Sequence, residues 1–565
     1  MLYSGAMNTK RALIFPLALL CAVSTGCAAQ KAAEPVTPEP PAIVEAETLS
    51  MDAVGMIQLN NDETTVTGAA SFADGVVTVH SPGTYHLSGS LTGQINVEAE
   101  GEVELVLAGA SITAATPGTS AIDADGDADL TITLAEGTVN ALSDGANAPD
   151  ENGKAVLRAK GPLTIGGAGV LTVTAGADNG IQGKDGVAIT GGILTVTAAN
   201  HTVKSTGPIE ITGGTLTLIA GNDGLSAEDG RITAGDITVT GGSVTIVTGG
   251  GGGDAINHAG ESFGPGASRE VESESTVGAK GVKADGNITV TGGQLDVNSA
   301  DDAVHAAGDV IIDGGDLTLL SSDDAVHADN GLVINGGTVT ITDCFEGLEA
   351  YTIDVNGGDL FIRSVNDGIN ANGPEMMFNR NASTDDRGET YFRMTGGTLD
   401  LAVTGNMSNM GDGIDSNGAA YIEGGTLLVS AIGTFMENGI DTGGTLRIDG
   451  GIVVAGGAAT MMEGVTSNSD HCSATVVTGT QPDGTTVTIT DEDGNVIHSV
   501  VLVNTFNSLV LSHPDMVQGH VYTVTYGTDS TTLDFTNTNV VSVGSRFGMG
   551  GPGGGMPGGP GGFRP

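Results

Sequence analysis

Short runs of alternating apolar and polar residues recur along most of the chain, and pairs of glycines interrupt them. In "IEITGGTLTLIA", Ile209 and Ile211 alternate with polar residues, the pair Gly213–Gly214 follows, and the alternation resumes at Leu216. Alternation with a period of two, rich in β-branched residues, is typical of strands. A glycine pair permits a corner with positive φ between two strands. The pattern therefore predicts two short strands joined at a tight corner.

The glycine pairs recur at intervals that indicate a repeat protein. The pairs begin at Gly166, Gly191, Gly213, Gly241, Gly292, Gly314, Gly336, Gly357, Gly396, Gly424 and Gly450. Several successive pairs are 21 or 22 residues apart, and a third short strand is predicted after each acidic element, as in "DGLSAED". Three strands and three corners in about 22 residues make one coil of a parallel β-helix, so the predicted fold class is all-β.

Polar residues return once per coil. The hexapeptide DDAVHA occurs at 301–306 and again at 323–328, so Asp302 is predicted to stack on Asp324, and His305 on His327, about 4.8 Å along the helix axis. Comparable first positions are Asp178, Asn179, Asn222, Asp223, Asp254, Glu346, Asn366, Asp367, Asp412, Asn438 and Glu463. Comparable second positions, three residues later, are Asn257, Glu349, Asn370, Asp415 and Asp441. A small residue and an inward aliphatic residue separate the two positions, so both polar side chains are predicted to face outward along one edge.

Stacked carboxylates favour a cation between them. At about 4.8 Å two carboxylates repel by roughly 1 kcal/mol in water and about four times more near a protein surface, and calcium accepts 6–8 oxygen ligands. The predicted calcium ligands are Asp301, Asp302, Asp323, Asp324, Glu346, Glu349, Asp367, Asp412, Asp415 and Asp441. Ordinary corner chemistry of Asp and Asn is the alternative interpretation. The two histidines also suit a transition metal, with simple stacking as the alternative.

Composition narrows the function. The chain has 92 Gly, no Trp and 3% aromatic residues, so the core is predicted to consist of Val, Ile, Leu and Ala. The formal charge of −49 would repel nucleic acid and attract cations, and nucleic acid is therefore excluded as a partner. Cys344 and Cys472 show no metal-type spacing, and both are predicted to be buried free thiols.

Residues 1–27 are predicted to be a targeting segment. Lys10 and Arg11 precede the apolar run "ALIFPLALLCAV", which is too short to span a bilayer. The run ends in "VSTGCAAQ", which resembles a lipoprotein box with Cys27 as the lipidated residue, although Ser24 stands where Leu is usual; Met7 is an alternative start to Met1. We expect an exported lipoprotein at the bacterial cell surface or outer membrane, attached to the membrane only through this lipid. Plain secretion is the alternative, and residues 28–55 are predicted to be a Pro- and Glu-rich tether.

The predicted β-helix spans residues 56–470, and other segments interrupt or follow it. Polar stretches at 258–280 and 373–389 are predicted to be exposed loops. Residues 471–543 lose the glycine period, and "DEDGNVI" is a hairpin signal. We predict a small antiparallel β module there, which covers the open end of the helix. The Gly- and Pro-rich residues 544–565 are predicted to be disordered.

The sequence resembles one family over roughly Met56 to Val543. The segments that carry the resemblance are "GTYHLSGSLTGQINVEAEGEVELVLAGASITA" (Gly83–Ala114), the coils "SADDAVHAAGDVIIDGGDLTL" and "FEGLEAYTIDVNGGDL", and the closing residues 484–527. They are similar to secreted bacterial carbohydrate-binding domain-containing proteins. The resemblance implies a right-handed parallel β-helix related to pectate-lyase-like helices, bound calcium, and acidic pectic polysaccharide as the ligand class.

Three functions follow, in order of preference. The first is a monomeric, surface-anchored, calcium-dependent protein that binds acidic polysaccharide. The second is a polysaccharide lyase acting on polyuronate, with Lys204 or Lys283 as the base, since both stand at second positions of the column. Pairing of these lysines with carboxylates of neighbouring coils is the alternative interpretation of them. The third function is that of a structural surface protein or adhesin.

Overall fold

The computed structural model describes residues 55–150, 152–228, 235–252, 278–372, 389–404, 411–433, 437–460, 462 and 464–544. These residues belong to a compact unit that begins at Asp52. They form 48 strands, numbered β1–β48 in chain order, and no helix. Consequently no helix within these ranges could cross a membrane. The predicted lipidation site, Cys27, lies outside the described residues, as do 258–277 and 373–388 of the two predicted loops.

Forty-four of the strands form one continuous, mainly parallel sheet with the topology of a β-helix. Three series of strands, here called ladders A, B and C, run through it, and one strand from each makes a coil. Ladder A comprises β4 (Val76–Val79), β6 (Gln94–Val97), β8 (Ile122–Ala124), β11 (Leu157–Ala159), β14 (Ile181–Gly183), β17 (Val203–Ser205), β20 (Leu225–Ala227), β23 (Val282–Ala284), β26 (Val304–Ala306), the first part of β29 (Val326–Ile334), the first part of β31 (Leu348–Val355), β33 (Ile369–Ala371), β36 (Ile414–Ser416) and β39 (Ile440–Thr442).

Ladder B follows ladder A within each coil. It comprises β1 (Gly55–Asn60), β5 (Gly83–Thr92), β7 (Gly101–Thr113), β9 (Ala128–Leu134), β12 (Leu163–Gly167), β15 (Val187–Ile189), β18 (Ile209–Ile211), β21 (Ile237–Val239), β24 (Ile288–Val290), β27 (Val310–Ile312), the second parts of β29 and β31, β34 (Tyr391–Met394), β37 (Ala419–Ile422) and β40 (Leu446–Ile448). Near the start of the sheet, β2 (Thr65–Val66) and β3 (Ala70–Ala73) pair antiparallel with β1 and β4.

Ladder C completes the coil. It continues from the end of β7 through β10 (Val139–Ser143), β13 (Val170–Ala175), β16 (Ile193–Ala198), β19 (Thr215–Ala220), β22 (Ser243–Thr248), β25 (Gln294–Ser299), β28 (Asp316–Ser321), β30 (Thr338–Asp343), β32 (Asp359–Ser364), β35 (Thr398–Val403), β38 (Thr426–Ser430) and β41 (Ile452–Gly457). Many partners in successive coils are 22 residues apart, as in Leu295 and Leu317 of β25 and β28, and others are 21 or 23 residues apart.

The glycine pairs form the corner between ladders B and C. Gly315 has a φ of 95° and Gly337 a φ of 87°, which confirms the predicted positive-φ corner. A Cβ on Gly337 would lie 2.7 Å from the carbonyl oxygen of Gly315 in the preceding coil. Close stacking of the corners therefore excludes a side chain even apart from the dihedral angle.

The core is a continuous column of aliphatic residues inside the coils. In β28 the burial alternates along the strand, with Leu317 and Leu319 inward, and the same alternation recurs in the neighbouring strands. Val, Ile, Leu and Ala make up most of this interior, as the composition predicts. Cys344 and Cys472 are buried free thiols, which confirms the prediction made for them.

At the C-terminal end the parallel sheet passes into antiparallel pairing. β45 (Phe506–Ser512) pairs antiparallel with both β41 and β42 (Ser473–Gln481), and β48 (Val540–Val543) pairs with β42. The last strand of ladder C therefore has a partner on its outer edge. A separate four-stranded antiparallel sheet comprises β43 (Thr485–Thr490), β44 (Val496–Leu502), β46 (Val521–Tyr526) and β47 (Asp529–Asp534). The predicted hairpin joins β43 to β44, where Asp491 N donates to Asn495 O at 3.0 Å.

Candidate functional site

The polar column lies along ladder A, at two positions in each coil. The strand position is the middle residue of the ladder A strand. From β6 to β39 it is occupied by Asn96, Asp123, Arg158, Gln182, Lys204, Ser226, Lys283, His305, His327, Glu349, Asn370, Asp415 and Asp441. The corner position lies three residues earlier. Successive coils place Asn179, His201, Asp223, Lys280, Asp302, Asp324, Glu346, Asp367, Asp412 and Asn438 there.

The three-residue spacing brings the two positions of a coil into contact. His305 Nδ1 lies 2.8 Å from Asp302 Oδ2, and His327 Nδ1 lies 3.1 Å from Asp324 Oδ2. His305 and His327 are paired in the ladder, and their ring centroids are 4.7 Å apart. The predicted stacking of the two hexapeptides is therefore confirmed, and both polar positions share one edge of the coil.

In the first coils, basic side chains of the chain itself neutralise the acids. Asp123, whose side chain is buried, accepts a hydrogen bond from Arg158 at 2.6 Å and one from Lys154 at 3.2 Å. Each of these contacts joins residues of adjacent coils. The acidic column is thus interrupted by internal cations near its start.

Lys204 and Lys283, the two lysines considered as catalytic bases, are also paired with a carboxylate of the chain. Lys283 forms an ion pair with Glu228, and Lys204 lies 3.4 Å from the same carboxylate. Burial by itself would raise the pKa of Glu228, but the hydrogen bond and charge of Lys283 and the charge of Lys204 lower it to about 2. Both lysines therefore share a carboxylate that stays ionised, which favours the structural interpretation of them over the catalytic one.

Lys280 is the feature of this column that sequence reasoning missed. Its backbone takes the place between Asp223 and Asp302, because Gly224 N donates to Lys280 O and Gly281 N donates to Asp302 O. Asp254, which the sequence assigns to this place, lies outside the described residues. The signal was the 22-residue interval from Lys280 to Asp302. It was overlooked because Lys280 ends a stretch, 258–280, that composition assigns to an exposed loop; this residue is not exposed.

The Lys280 side chain fills the space between two carboxylates. Its Nζ lies 2.5 Å from Asp302 Oδ2 and 3.1 Å from Asp301 Oδ1, and the side chain is 18% exposed. Burial lowers the pKa of Lys280, but Asp302 and Asp301 raise it above its ordinary value. Burial likewise opposes ionisation of Asp302, yet the His305 hydrogen bond and the Lys280 charge lower the pKa of Asp302. The first DDAVHA copy therefore contains a cation supplied by the chain itself.

From the second DDAVHA copy onward the column consists mainly of acidic and amide residues. The ladder A segments 322–329, 344–351, 365–372, 411–418 and 437–443 contain no Lys or Arg. The buried corner carboxylates of these segments are Asp324, Glu346, Asp367 and Asp412. Their pKa values are raised well above the ordinary range by burial and by neighbouring carboxylates. Burial together with Asp302 and Asp301 raises the pKa of Asp323 to about 8. This acidic column, from Asp323 to Asp441, favours a bound cation.

The donors around Glu346 fit a hard cation such as calcium. Asn366 Nδ2 donates to Glu346 Oε1 at 2.9 Å, and Asn370 Nδ2 donates to Glu346 Oε2 at 2.7 Å. Asn370 is 3% exposed, and its Oδ1 has no hydrogen-bond partner in the described structure. Leaving a buried amide oxygen unpaired costs about 1–3 kcal/mol. An oxygen that points at a cation would avoid that cost, and calcium takes amide and carboxylate oxygens together.

The predicted ligands fall into groups along the edge. Asp301, Asp302 and Asp323 have carboxylate oxygens within 4.8 Å of one another, as do Asp324 and Glu349 with a ring nitrogen of His327. Asp367 Oδ1 accepts a hydrogen bond from Asp412 N at 2.6 Å, which joins the next pair of coils. Asp415 and Asp441 are partners in ladder A. The sequence analysis did not assign Lys280 to the column. It also did not include Asn366 and Asn370 among the calcium ligands, although both stand at positions of the predicted column.

Comparison with known proteins identifies a family whose sequence model matches this chain. The sequence model of a family described as carbohydrate-binding domain-containing protein matches residues 73–325, 306–347 and 321–464. A solved structure, the gadolinium derivative of the polysaccharide lyase-like protein from C. thermocellum, is similar with 25% identity and a TM-score of 0.36, and covers 50% of this chain and 96% of its own. Among curated proteins, none matches the chain significantly. The family match spans more than half of the chain and includes most of the column.

Proposed function

Because the chain belongs to the family of carbohydrate-binding domain-containing proteins, we propose that it binds acidic polysaccharide of the polyuronate class, with calcium on the acidic column as the bridge. The observation that carries the proposal is the run of buried carboxylates from Asp324 to Asp412, in ladder A segments that contain no Lys or Arg. Proximity of like charges in a buried setting is costly unless a cation lies between them.

The charge of the protein requires a bridge of this kind. With a net charge of −49, direct contact with a polyuronate would be repulsive. Neutral sugars are commonly bound on aromatic side chains, but the chain has no Trp, 7 Tyr and 12 Phe, and Tyr85, Phe392, Phe506 and Phe535 are fully buried. Calcium held at the protein surface attracts carboxylates, so sugar carboxylates would complete its coordination shell.

We place the calcium ligands on the all-oxygen part of the column. Glu346, Asp367, Asn370 and Asp412 supply carboxylate and amide oxygens from successive coils, and Asp415 and Asp441 continue the row at the strand position. The coils repeat about every 4.8 Å, which is close to the length of one sugar ring. A polysaccharide chain would accordingly lie along ladder A, parallel to the axis of a right-handed helix.

We also propose that the protein acts as a monomer at the bacterial surface. Export through residues 1–27, lipidation of Cys27 and a tether over residues 28–55 would hold the β-helix away from the membrane. Metabolic labelling with a fatty acid tests the anchor, since Cys27→Ala should abolish the label. A label that persists in this variant would contradict the assignment of Cys27.

The central experiment measures retention of the purified protein on immobilised polygalacturonate. We expect retention in calcium, release by EDTA, and loss in the double variant Glu346→Gln with Asp412→Asn. The matched control is Asp316→Asn with Asp359→Asn, which removes the same charge from exposed positions of ladder C and should bind like the unmodified protein. Calcium should also raise the melting temperature, because an ion at 100 times its Kd stabilises the folded state by about 2.7 kcal/mol.

Retention that is unchanged after exhaustive chelation would contradict the calcium bridge. Absence of retention on any polyuronate, with calcium still bound, would favour a structural or adhesive role. The same incubation tests lyase activity through the absorbance of unsaturated uronate ends. Because Lys204 and Lys283 share Glu228, we expect no such absorbance; a calcium-dependent rise that disappears in Lys283→Ala would make the protein a lyase.

A further inference from the structure

The two DDAVHA copies have the same sequence but different surroundings. In the first copy the carboxylates of Asp301 and Asp302 hold the Lys280 ammonium at 3.1 and 2.5 Å. The edge of the helix at this coil therefore already contains a cation, supplied by the chain. His305 completes the cluster by a 2.8 Å contact with Asp302.

In the second copy Asp302 takes the corner position that Lys280 has for the first copy, and Glu349 of the next coil lies near the histidine. His327 Nδ1 lies 3.1 Å from Asp324 Oδ2 and 3.9 Å from Glu349 Oε2. The three side chains are 25%, 7% and 13% exposed, respectively, so solvent reaches the ring while the carboxylates are sheltered. Within the described residues, the ion pairs of Asp324 and Glu349 are with His327 and not with Lys or Arg.

We propose that Asp324, His327 and Glu349 form a site for a divalent transition metal of the zinc class, distinct from the all-oxygen calcium ligands. Zinc binds imidazole nitrogen and carboxylate oxygen at about 2.0–2.2 Å. Tetrahedral ligand atoms at that radius are about 3.3–3.6 Å apart, and the two contacts of His327 Nδ1, at 3.1 and 3.9 Å, lie on either side of that range.

The donor set also discriminates between metals. An imidazole with two carboxylates suits zinc and its neighbours in the first transition row, whereas calcium prefers more ligands, all of them oxygen. Three protein ligands leave a fourth position for water or a sugar oxygen. The first copy is closed to a metal because Lys280 occupies the same carboxylates, so the repeat yields one such site and not two.

The experiment uses the full chain stripped of metal, with Zn²⁺ followed by calorimetry and Co²⁺ as a spectroscopic probe. We expect one strong equivalent, and a visible Co²⁺ spectrum of tetrahedral type with nitrogen among its ligands. His327→Gln should weaken Zn²⁺ binding by more than about 100-fold, the upper end of what loss of an outer-shell partner costs. His305→Gln is the matched control, and its Zn²⁺ affinity should equal that of the unmodified protein.

Glu349→Gln provides a second variant, which should also lose the tetrahedral Co²⁺ spectrum if His327→Gln fails to fold. Zn²⁺ affinity that persists in both variants, or that falls equally in His305→Gln, would overturn the proposal. Loss of Zn²⁺ binding in Glu346→Gln with Asp412→Asn would overturn it as well, by placing the metal on the calcium ligands. Since the readout is metal binding, polysaccharide retention can fail without affecting this result.

Discussion

Replacing Lys280 by Met should destabilise the protein more than any other loss of a single basic residue in the column. The methionine keeps the length of the side chain but removes the cation, and it leaves Asp301 and Asp302, with side chains 8% and 3% exposed, as buried like charges. At about 3 Å and an effective dielectric constant of 20, each attraction amounts to roughly 5 kcal/mol. The free energy lost by removing Lys280, Asp301 and Asp302 from water offsets much of the sum of these two attractions.

The net effect follows from what remains after the substitution. Breaking a buried ion pair by removing one partner costs about 3–5 kcal/mol, because the other charge stays buried without compensation. Asp302→Asn added to Lys280→Met should therefore recover part of the loss, since it removes the uncompensated charge. The exposed Lys184 gives the matched control, and Lys184→Met should change stability by less than about 0.5 kcal/mol.

Hydrogen exchange is the suitable assay, since a long coil array does not unfold as a single two-state unit. The amides of residues 278–306 report the local opening free energy. A loss of about 3–5 kcal/mol corresponds to exchange faster by roughly 2.2 to 3.7 orders of magnitude. Exchange accelerated by less than about tenfold in Lys280→Met, or no recovery in the double variant, would refute the internal-cation interpretation.

Two further predictions concern the coil register and the titration of the column. Ile414→Asp should unfold the surrounding coils, because Ile414 is fully buried and an unpaired buried charge costs several kcal/mol. The control Ile414→Val should cost only about 0.5–1.5 kcal/mol. A circular-dichroism melt of the Asp variant that matches the unmodified protein would contradict the coil register. In metal-stripped protein the pKa of Asp323 is raised to about 8 and that of Asp324 is raised as well, whereas unfolded Asp titrates near about 3.9. The folded state therefore binds more protons between these values, so stability should fall as the pH rises through that window. Calorimetry should show a higher melting temperature at about pH 5, inside the window, than at about pH 8, at its upper end, and the opposite trend would count against these burial effects.

Much of the fold was accessible from the sequence because its determinants are local and repeated. Alternation with a period of two identifies strands, and the second residue of each glycine pair needs positive φ, as Gly315 and Gly337 show. A constant interval then sets which residues become partners, and the pairing of His305 with His327 followed from that interval alone. The hairpin between β43 and β44 was likewise predicted from a local turn signal.

The sequence alone could not show which carboxylates of the column are paired with a basic side chain, and the reason is physical. Whether a lysine neutralises a carboxylate depends on the distance between side chains of different coils. Insertions of variable length separate those coils in the sequence. Lys280 follows Asp223 by 57 residues, yet its backbone N donates to Asp223 Oδ1 at 2.9 Å. Composition marks residues 258–280 as a polar loop, and it gives no sign that the last residue of this stretch enters the ladder.

The sequence by itself thus determined the β-helical coil, its corners and the acidic edge of ladder A, because strand period and glycine stereochemistry act over a few residues. Only the tertiary structure decided which carboxylates have a cation. It gives Asp302 a lysine and gives Asp324 a histidine and a second carboxylate. Among the described residues it leaves a buried oxygen of Asn370 without a hydrogen-bond partner. Electrostatic energy depends on separation and burial, and both are set when successive coils stack.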